Sequence, residues 1–279
     1  MIDMQNQGDT REIPLEKAGV RGLLYPVTVL DKARKIQHTT ARADFFVTLP
    51  HHFKGTHMSR FVEIFHTYRA DISLKRFLAM LAEMRVKLDA ARAFGTLTFP
   101  FFLEKEAPVS GQKGMMSYEC TYEGAVSKDE SEFFVSVSVP VTTLCPCSKA
   151  ISDKGAHNQR GTVKIRLKYS SFFWIEDIIA LAENCSSCGI YSVLKREDEK
   201  FVTERAYDNP RFVEDVVRET FLALRAFRAE SGEEFSHFSV EAENFESIHN
   251  HNAYAFAEYC GGGDTILHPI RIPQLSPRI

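Results

Sequence analysis

The sequence predicts an α+β fold: two antiparallel four-stranded sheets, each carrying a pair of helices on one face. Three observations carry this. Short runs rich in β-branched and aromatic residues alternate with longer runs whose apolar residues recur at helical spacing. The order strand-strand-helix-helix-strand-strand occurs twice, and the polar stretch "VSKDESE" near 126–132 joins the halves. The repeat is one of element order, without visible sequence identity. Open sheet edges in such a fold invite pairing with other subunits, so a homo-oligomer is expected.

The elements follow in chain order. Residues 1–24 read as a loosely ordered arm, 25–127 as the first unit, 128–259 as the second and 260–279 as a tail. "ARADFFVTL" (41–49) and "GTLTFPFFLEK" (95–105) have strand composition. Between them, Met58, Phe61, Val62 and Phe65 fall on one helical face. Leu74, Phe77, Leu78, Leu81, Met84 and Leu88 form a longer stripe behind Ser73, a natural N-cap. In the second half "FFVSVSVPV" (133–141) and "GTVKIRLKY" (161–169) alternate as strands with one wet face. "FFWIEDIIALAEN" (172–184) has helical spacing, and Asn209-Pro210 reads as the cap and first position of a further helix through Phe221. "SHFSVEAENF" (236–245) and "AYAFAEY" (253–259) return to strand.

Composition excludes several functions. The chain has 279 residues, 44% of them apolar and 25% charged, and a formal charge of 34 − 37 = −3. That balance gives no global pull toward nucleic acid or a membrane surface. No apolar run approaches the ~20 residues of a membrane span, and the polar N-terminus lacks the apolar centre of a signal peptide. A cytoplasmic protein is expected. Its six cysteines then point to metal or catalytic roles before disulfides.

Three clusters could carry chemistry. In "TTLCPCSKAISDKGAHNQRG" (142–161), Cys145 and His157 supply a soft and a borderline ligand for a divalent transition metal. Cys185 and Cys188 of "NCSSCG" offer a rival: with Cys145 and Cys147 they could close a four-thiolate zinc site. The charged segment "LKREDEKFVTERAYDNP" (194–210) reads as a long loop with Glu197, Asp198 and Glu199 as carboxylates and Lys195 and Arg196 as phosphate contacts. In "SVEAENFESIHNHNAY" (239–254), His249 and His251 lie two apart, so an extended chain puts both rings on one side, with Glu246 close by.

Five motifs, "GTHMSRF" (55–61), "APVSG" (107–111), "PVTTLCPCSKAISDKGAHNQR" (140–160), "KREDEKFVTERAYDNPRFVEDVVR" (195–218) and "ENFESIHNH" (243–251), give the chain its resemblance to GTP cyclohydrolase IB of the tunnelling-fold superfamily. The resemblance runs from about residue 25 to 259. It implies two tandem tunnelling-fold (ββααββ) units and a homo-oligomer, expected to be a tetramer, with active sites at subunit interfaces. It implies GTP as substrate, 7,8-dihydroneopterin triphosphate and formate as products, and the first step of folate biosynthesis. It also implies a metal held by Cys145, His157 and Glu199, which leaves a position open where four cysteines would not. Zinc is the first expectation, with manganese or iron also fitting the donors.

The same resemblance assigns His249, His251 and Glu214, beside Cys145, to catalysis, and Glu246 to the purine edge through paired, charge-assisted hydrogen bonds. Arg160, Arg60, His57, Lys195, Arg196 and Lys149 are the motif-borne cations for the triphosphate, with Arg160 and Arg60 favoured for their guanidinium forks. No Walker-type glycine loop is present. Three alternatives stay open: an iron-dependent archaeal-type cyclohydrolase giving a cyclic phosphate, a tunnelling-fold NADPH nitrile reductase with a nucleophilic cysteine, and a zinc-stabilised interaction module.

Overall fold

The computed structural model describes residues 10–169, 171–229 and 232–261. Within them the chain runs β1 (Leu15–Asp31), β2 (Lys35–Leu49), α1 (Met58–Tyr68), α2 (Leu74–Lys87), β3 (Ala93–Glu106), β4 (Lys113–Val126) and β5 (Ser131–Leu144). It continues with α3 (Pro146–Ile151), β6 (Asn158–Lys168), α4 (Ile175–Asn184), β7 (Cys188–Gly189), α5 (Arg196–Asp208), α6 (Val213–Ala226), β8 (His237–Asn244) and β9 (Ala253–Cys260). The fold is α+β, as expected.

The strands form one sheet, in the order β1-β2-β3-β4-β5-β6-β8-β9, with the two-residue β7 paired to β5. This corrects the expectation of two separate four-stranded sheets. Val126 pairs with Ser131, so the polar stretch at 126–132 is a hairpin turn that carries the ladder onward.

Period-two alternation puts every second side chain on one face, and that face is continuous across the sheet. Phe99, Cys120, Val137, Ile165 and Val240 lie in register from β3 to β8, all buried. The helices cover this face. α2 approaches closely because Gly95 and Gly124 face each other across β3 and β4. A Cβ at either would meet Leu81 or Phe77 of α2 at 2.7–2.8 Å. Truncating the fully buried Phe77 to alanine is expected to cost about 3–5 kcal/mol.

Three local expectations are corrected. Residues 15–24, assigned to a loose arm, lie in β1; bulges near Gly22 break the alternation that would reveal a strand. Residues 1–9, and the tail beyond 261, lie outside the described residues. The segment 194–210 is not a loop but α5, of which only Asp198 and Ala206 are buried. A helix touching the body along so narrow a line leaves no apolar stripe to read. Finally, Asn209 does not cap α6. Its amide donates to the carbonyls of Ser186 and Ser187, and α6 starts at Val213, where Asp215 accepts the N–H of Phe212 at 3.0 Å. Ser73 does occupy the N-cap position of α2. No helix among the described residues is long and apolar enough to cross a membrane.

Candidate active site

β5 and β6 diverge at Leu144 and Asn158, and the chain between them makes one tight loop. Cys145 caps α3, its sulfur accepting the N–H of Ser148 at 3.5 Å. Its own N–H donates to the carbonyl of His157 at 3.1 Å, which closes the loop. Ser148 ties both sides: its hydroxyl donates to the carbonyl of Cys145 and accepts the N–H of His157, each at 3.2 Å.

The imidazole of His157 is oriented from behind. Thr143 and Gln159 are cross-strand partners, and the Gln159 amide donates to the Thr143 hydroxyl at 2.9 Å. That bond turns Gln159 Oε1 toward His157 Nδ1, 3.0 Å away. An amide oxygen can only accept, so Nδ1 is the donor in this contact and, in the neutral ring, Nε2 is the nitrogen with the lone pair. A metal-ligating histidine is held in this way. Thr143 and Gln159 are both buried, and neither was singled out from the sequence. The alternation of β6, which puts 157 and 159 on one side, is the signal that could have found Gln159.

Glu246 arrives from the neighbouring strand. Gly161 pairs with Asn244, and Phe245 extends the ladder by donating to the carbonyl of Arg160 at 2.9 Å. Glu246 then follows with Oε2 at 3.9 Å from His157 Nδ1, and the two side chains are only 11% and 14% exposed. A Cβ on Gly161 would meet Asn244 Oδ1 at 2.7 Å and the Glu243 carbonyl at 2.9 Å, so glycine is what lets β6 and β8 close here. Beyond Glu246, the rings of His249 and His251 stack at 5.1 Å and 18° on an exposed loop. Asn252 closes that loop on Glu243 at 2.6 Å.

A match now decides the family. A model described as type I GTP cyclohydrolase folE2 matches residues 1–255. The chain belongs to that family. It is similar to the GTP cyclohydrolase FolE2 of Geobacter sulfurreducens, 54% identical over 258 residues, covering 92% of this chain and 98% of that protein. The FolE2 of Syntrophus aciditrophicus is 52% identical over 258 residues, covering 92% and 99%. A crystal structure of uricase from Arthrobacter globiformis shares the fold alone, with a TM-score of 0.51 and 9% identity over 91% of this chain and 96% of that one.

In this FolE2-family chain the remaining expected site residues are spread out. Cys145, His157, Glu246, His249, His251 and Arg160 cluster at one end of β5, β6 and β8. Glu199 is exposed on the first turn of α5, and Glu214 is exposed on the first turn of α6. Among the described residues, the donor atoms of Cys145, His157 and Glu199 do not all lie within 4.8 Å of one another. Lys195 and Arg196 open α5, both exposed. Lys149 donates to the carbonyl of Tyr207 and sits 4.2 Å over its ring, which ties α3 to α5. His57 and Arg60 belong to the start of α1, in the other half of the chain, where Arg60 donates to the Lys87 carbonyl at 3.0 Å.

The four cysteines of the rival zinc site do not gather either. Cys147 is exposed, while Cys185 and Cys188 are buried behind β5, where burial pushes both thiols up and keeps them protonated. Asp198, beside Glu199, has a different part. It accepts the N–H groups of Val109, Ser110 and Lys195 at 2.8–2.9 Å and the Ser110 hydroxyl at 2.6 Å. Desolvation pushes its carboxyl up, but these bonds outweigh it and hold the group well below the usual range. The motif "APVSG" is thus the latch for α5.

Proposed function

We propose that this chain hydrolyses GTP at guanine C8, opens the imidazole ring, releases formate and rearranges the product to 7,8-dihydroneopterin triphosphate, the first step of folate biosynthesis. Membership of the GTP cyclohydrolase folE2 family across residues 1–255 is the observation that carries this reading. The two halves, 25–127 and 128–259, are read as tandem tunnelling-fold units of a cytoplasmic enzyme.

Cys145, His157 and Glu199 are assigned to a divalent metal. The donor set fits one: thiolate, imidazole and carboxylate suit Zn²⁺ first, with Mn²⁺ or Fe²⁺ as alternatives. The proton placement that Gln159 imposes on His157 also fits a ligand histidine. When bound, the ion supplies Lewis-acid activation of the attacking water.

The chain's own groups do the rest. Glu246 accepts two hydrogen bonds from the purine edge and so fixes which face of the ring meets Cys145 and His157. His249 and His251, whose ring nitrogens can give or take a proton, move protons during ring opening and formate loss. Glu214 assists proton transfer. Arg160, Lys195 and Arg196 hold the triphosphate from this subunit. His57 and Arg60 lie in the other half of the chain, so we assign them to the site of a neighbouring subunit in a homotetramer.

The test is incubation of metal-loaded protein with GTP, reading formate and, after oxidation, a fluorescent pterin. Formate with a linear triphosphate product supports the reading. A cyclic phosphate product points to the archaeal-type reaction, and no formate at all overturns it.

A further inference from the structure

We infer that His237, Glu258 and Cys260 form a second metal site, separate from the Cys145 loop, which takes a divalent transition ion of zinc-like softness. The three residues sit at one end of the outermost strand pair. His237 is the first residue of β8 and pairs directly with Cys260, the last of β9, while Glu258 lies opposite Ser239. Residues facing each other in a ladder share a face, as do residues two apart, so all three side chains rise on one side. That side is opposite the buried face of Phe238 and Val240, and thus away from the helices.

One ligand atom from each residue lies within 4.8 Å of the others, and this is the one such trio of histidine, cysteine and acidic groups among the described residues. Zn²⁺ bonds of about 2.0–2.3 Å in tetrahedral array put ligand atoms ~3.3–3.8 Å apart, so a modest closing of the trio around one of the two ring nitrogens would accommodate an ion. Cys260 Sγ is 3.4 Å from His237 Nδ1, and Glu258 Oε1 is 2.9 Å from Nε2. Nε2 is sealed from solvent and faces the carboxylate as an ion pair, with no hydrogen bond formed.

The surroundings suit an ion. Phe134 packs edge-on against the imidazole at 5.8 Å and fixes the ring plane. Arg166 lies over the same phenyl ring but is engaged by Glu123 at 3.1 Å, which offsets its charge. His237 and Glu258 retain 25% and 23% side-chain exposure, so the cluster lies at the surface, where an ion could reach it through small side-chain movements. Bound there, it would clip the start of β8 to the end of β9.

The test uses the untagged full chain and Zn²⁺ or Co²⁺ alone. The Cys145→Ala/His157→Ala double variant removes the ligands proposed for the catalytic ion. It is expected to retain one Zn²⁺ per chain through dialysis, show thiolate-to-cobalt charge-transfer absorption, and melt higher with Zn²⁺ than without. Adding Cys260→Ala should abolish all three signals. Should the double variant fail to fold, Cys260→Ala and His237→Ala in the otherwise unchanged chain should each lower bound Zn²⁺ by one equivalent and leave formate release from GTP intact. Zinc content, cobalt spectrum and melting temperature that ignore these substitutions overturn the site. Failure of the GTP assay bears on the proposed function and leaves this site untouched.

Discussion

The hydroxyl of Ser110 donates to Asp198 at 2.6 Å across 88 residues of sequence, and that contact fastens the β3–β4 hairpin to the first turn of α5. The carboxyl of Asp198 lies below its ordinary value, so its stabilisation is present in full above about pH 4 and is lost as the pH falls further. Asp198→Ala is expected to lower the melting temperature at pH 7 and to lose that deficit in strong acid. Equal melting of variant and parent at pH 7 would show that the latch contributes nothing.

Gln159→Ala removes the acceptor that holds the proton on His157 Nδ1. Zinc affinity of the Cys145 loop should fall about tenfold to a hundredfold. Competition against a chelator measures it, in a Cys260→Ala background so that a single site is read. Unchanged affinity would reject the orienting role.

Glu246→Ala removes both of its hydrogen bonds to the purine edge and should raise the KM for GTP by at least roughly tenfold to a hundredfold, the worth of a single hydrogen bond to a charged group. Zinc stoichiometry should stay as it was. Loss of the metal with full retention of GTP affinity is the opposite pattern, and it would assign Glu246 to the ion.

Gly161→Ala places a methyl against the Glu243 carbonyl, which cannot rotate away. Separating β6 from β8 should cost about 1–3 kcal/mol and weaken GTP binding, since Phe245 and Glu246 hang on that register. Urea titration together with GTP affinity checks both. A variant as stable and as tight as the parent would show that the strands part freely.

Lys105 and Glu183 form a pair at 2.7 Å, with side chains only 14% and 15% exposed, beneath the Tyr191 ring and beside the Tyr118 hydroxyl. Glu183→Ala leaves the ammonium without its counterion and should destabilise by about 3–5 kcal/mol. Lys105→Met with Glu183→Leu should recover most of that. Destabilisation of the double variant as large as that of the single one would assign the loss to packing instead of charge.

Local patterns determined much of this protein. Alternation placed Val135, Val137 and Val139 on a buried face, helical spacing placed Phe77 and Leu81 against the sheet, and residues 142–161 announced Cys145 and His157 together. Each signal depends on neighbours in sequence, where strand and helix periods act. What the sequence left undecided depends on distant partners. The bulged β1 and the charged α5 are fixed by the ladder to β2 and by Asp198, and neither leaves a periodic trace. Thr143 reaches His157 only through Gln159, Glu246 approaches it from β8, and both meetings occur because β5, β6 and β8 align there; His237 meets Cys260 because β8 pairs with β9. Only tertiary structure decided those meetings, because strand register is set by the packing of the whole buried face and not by any one segment.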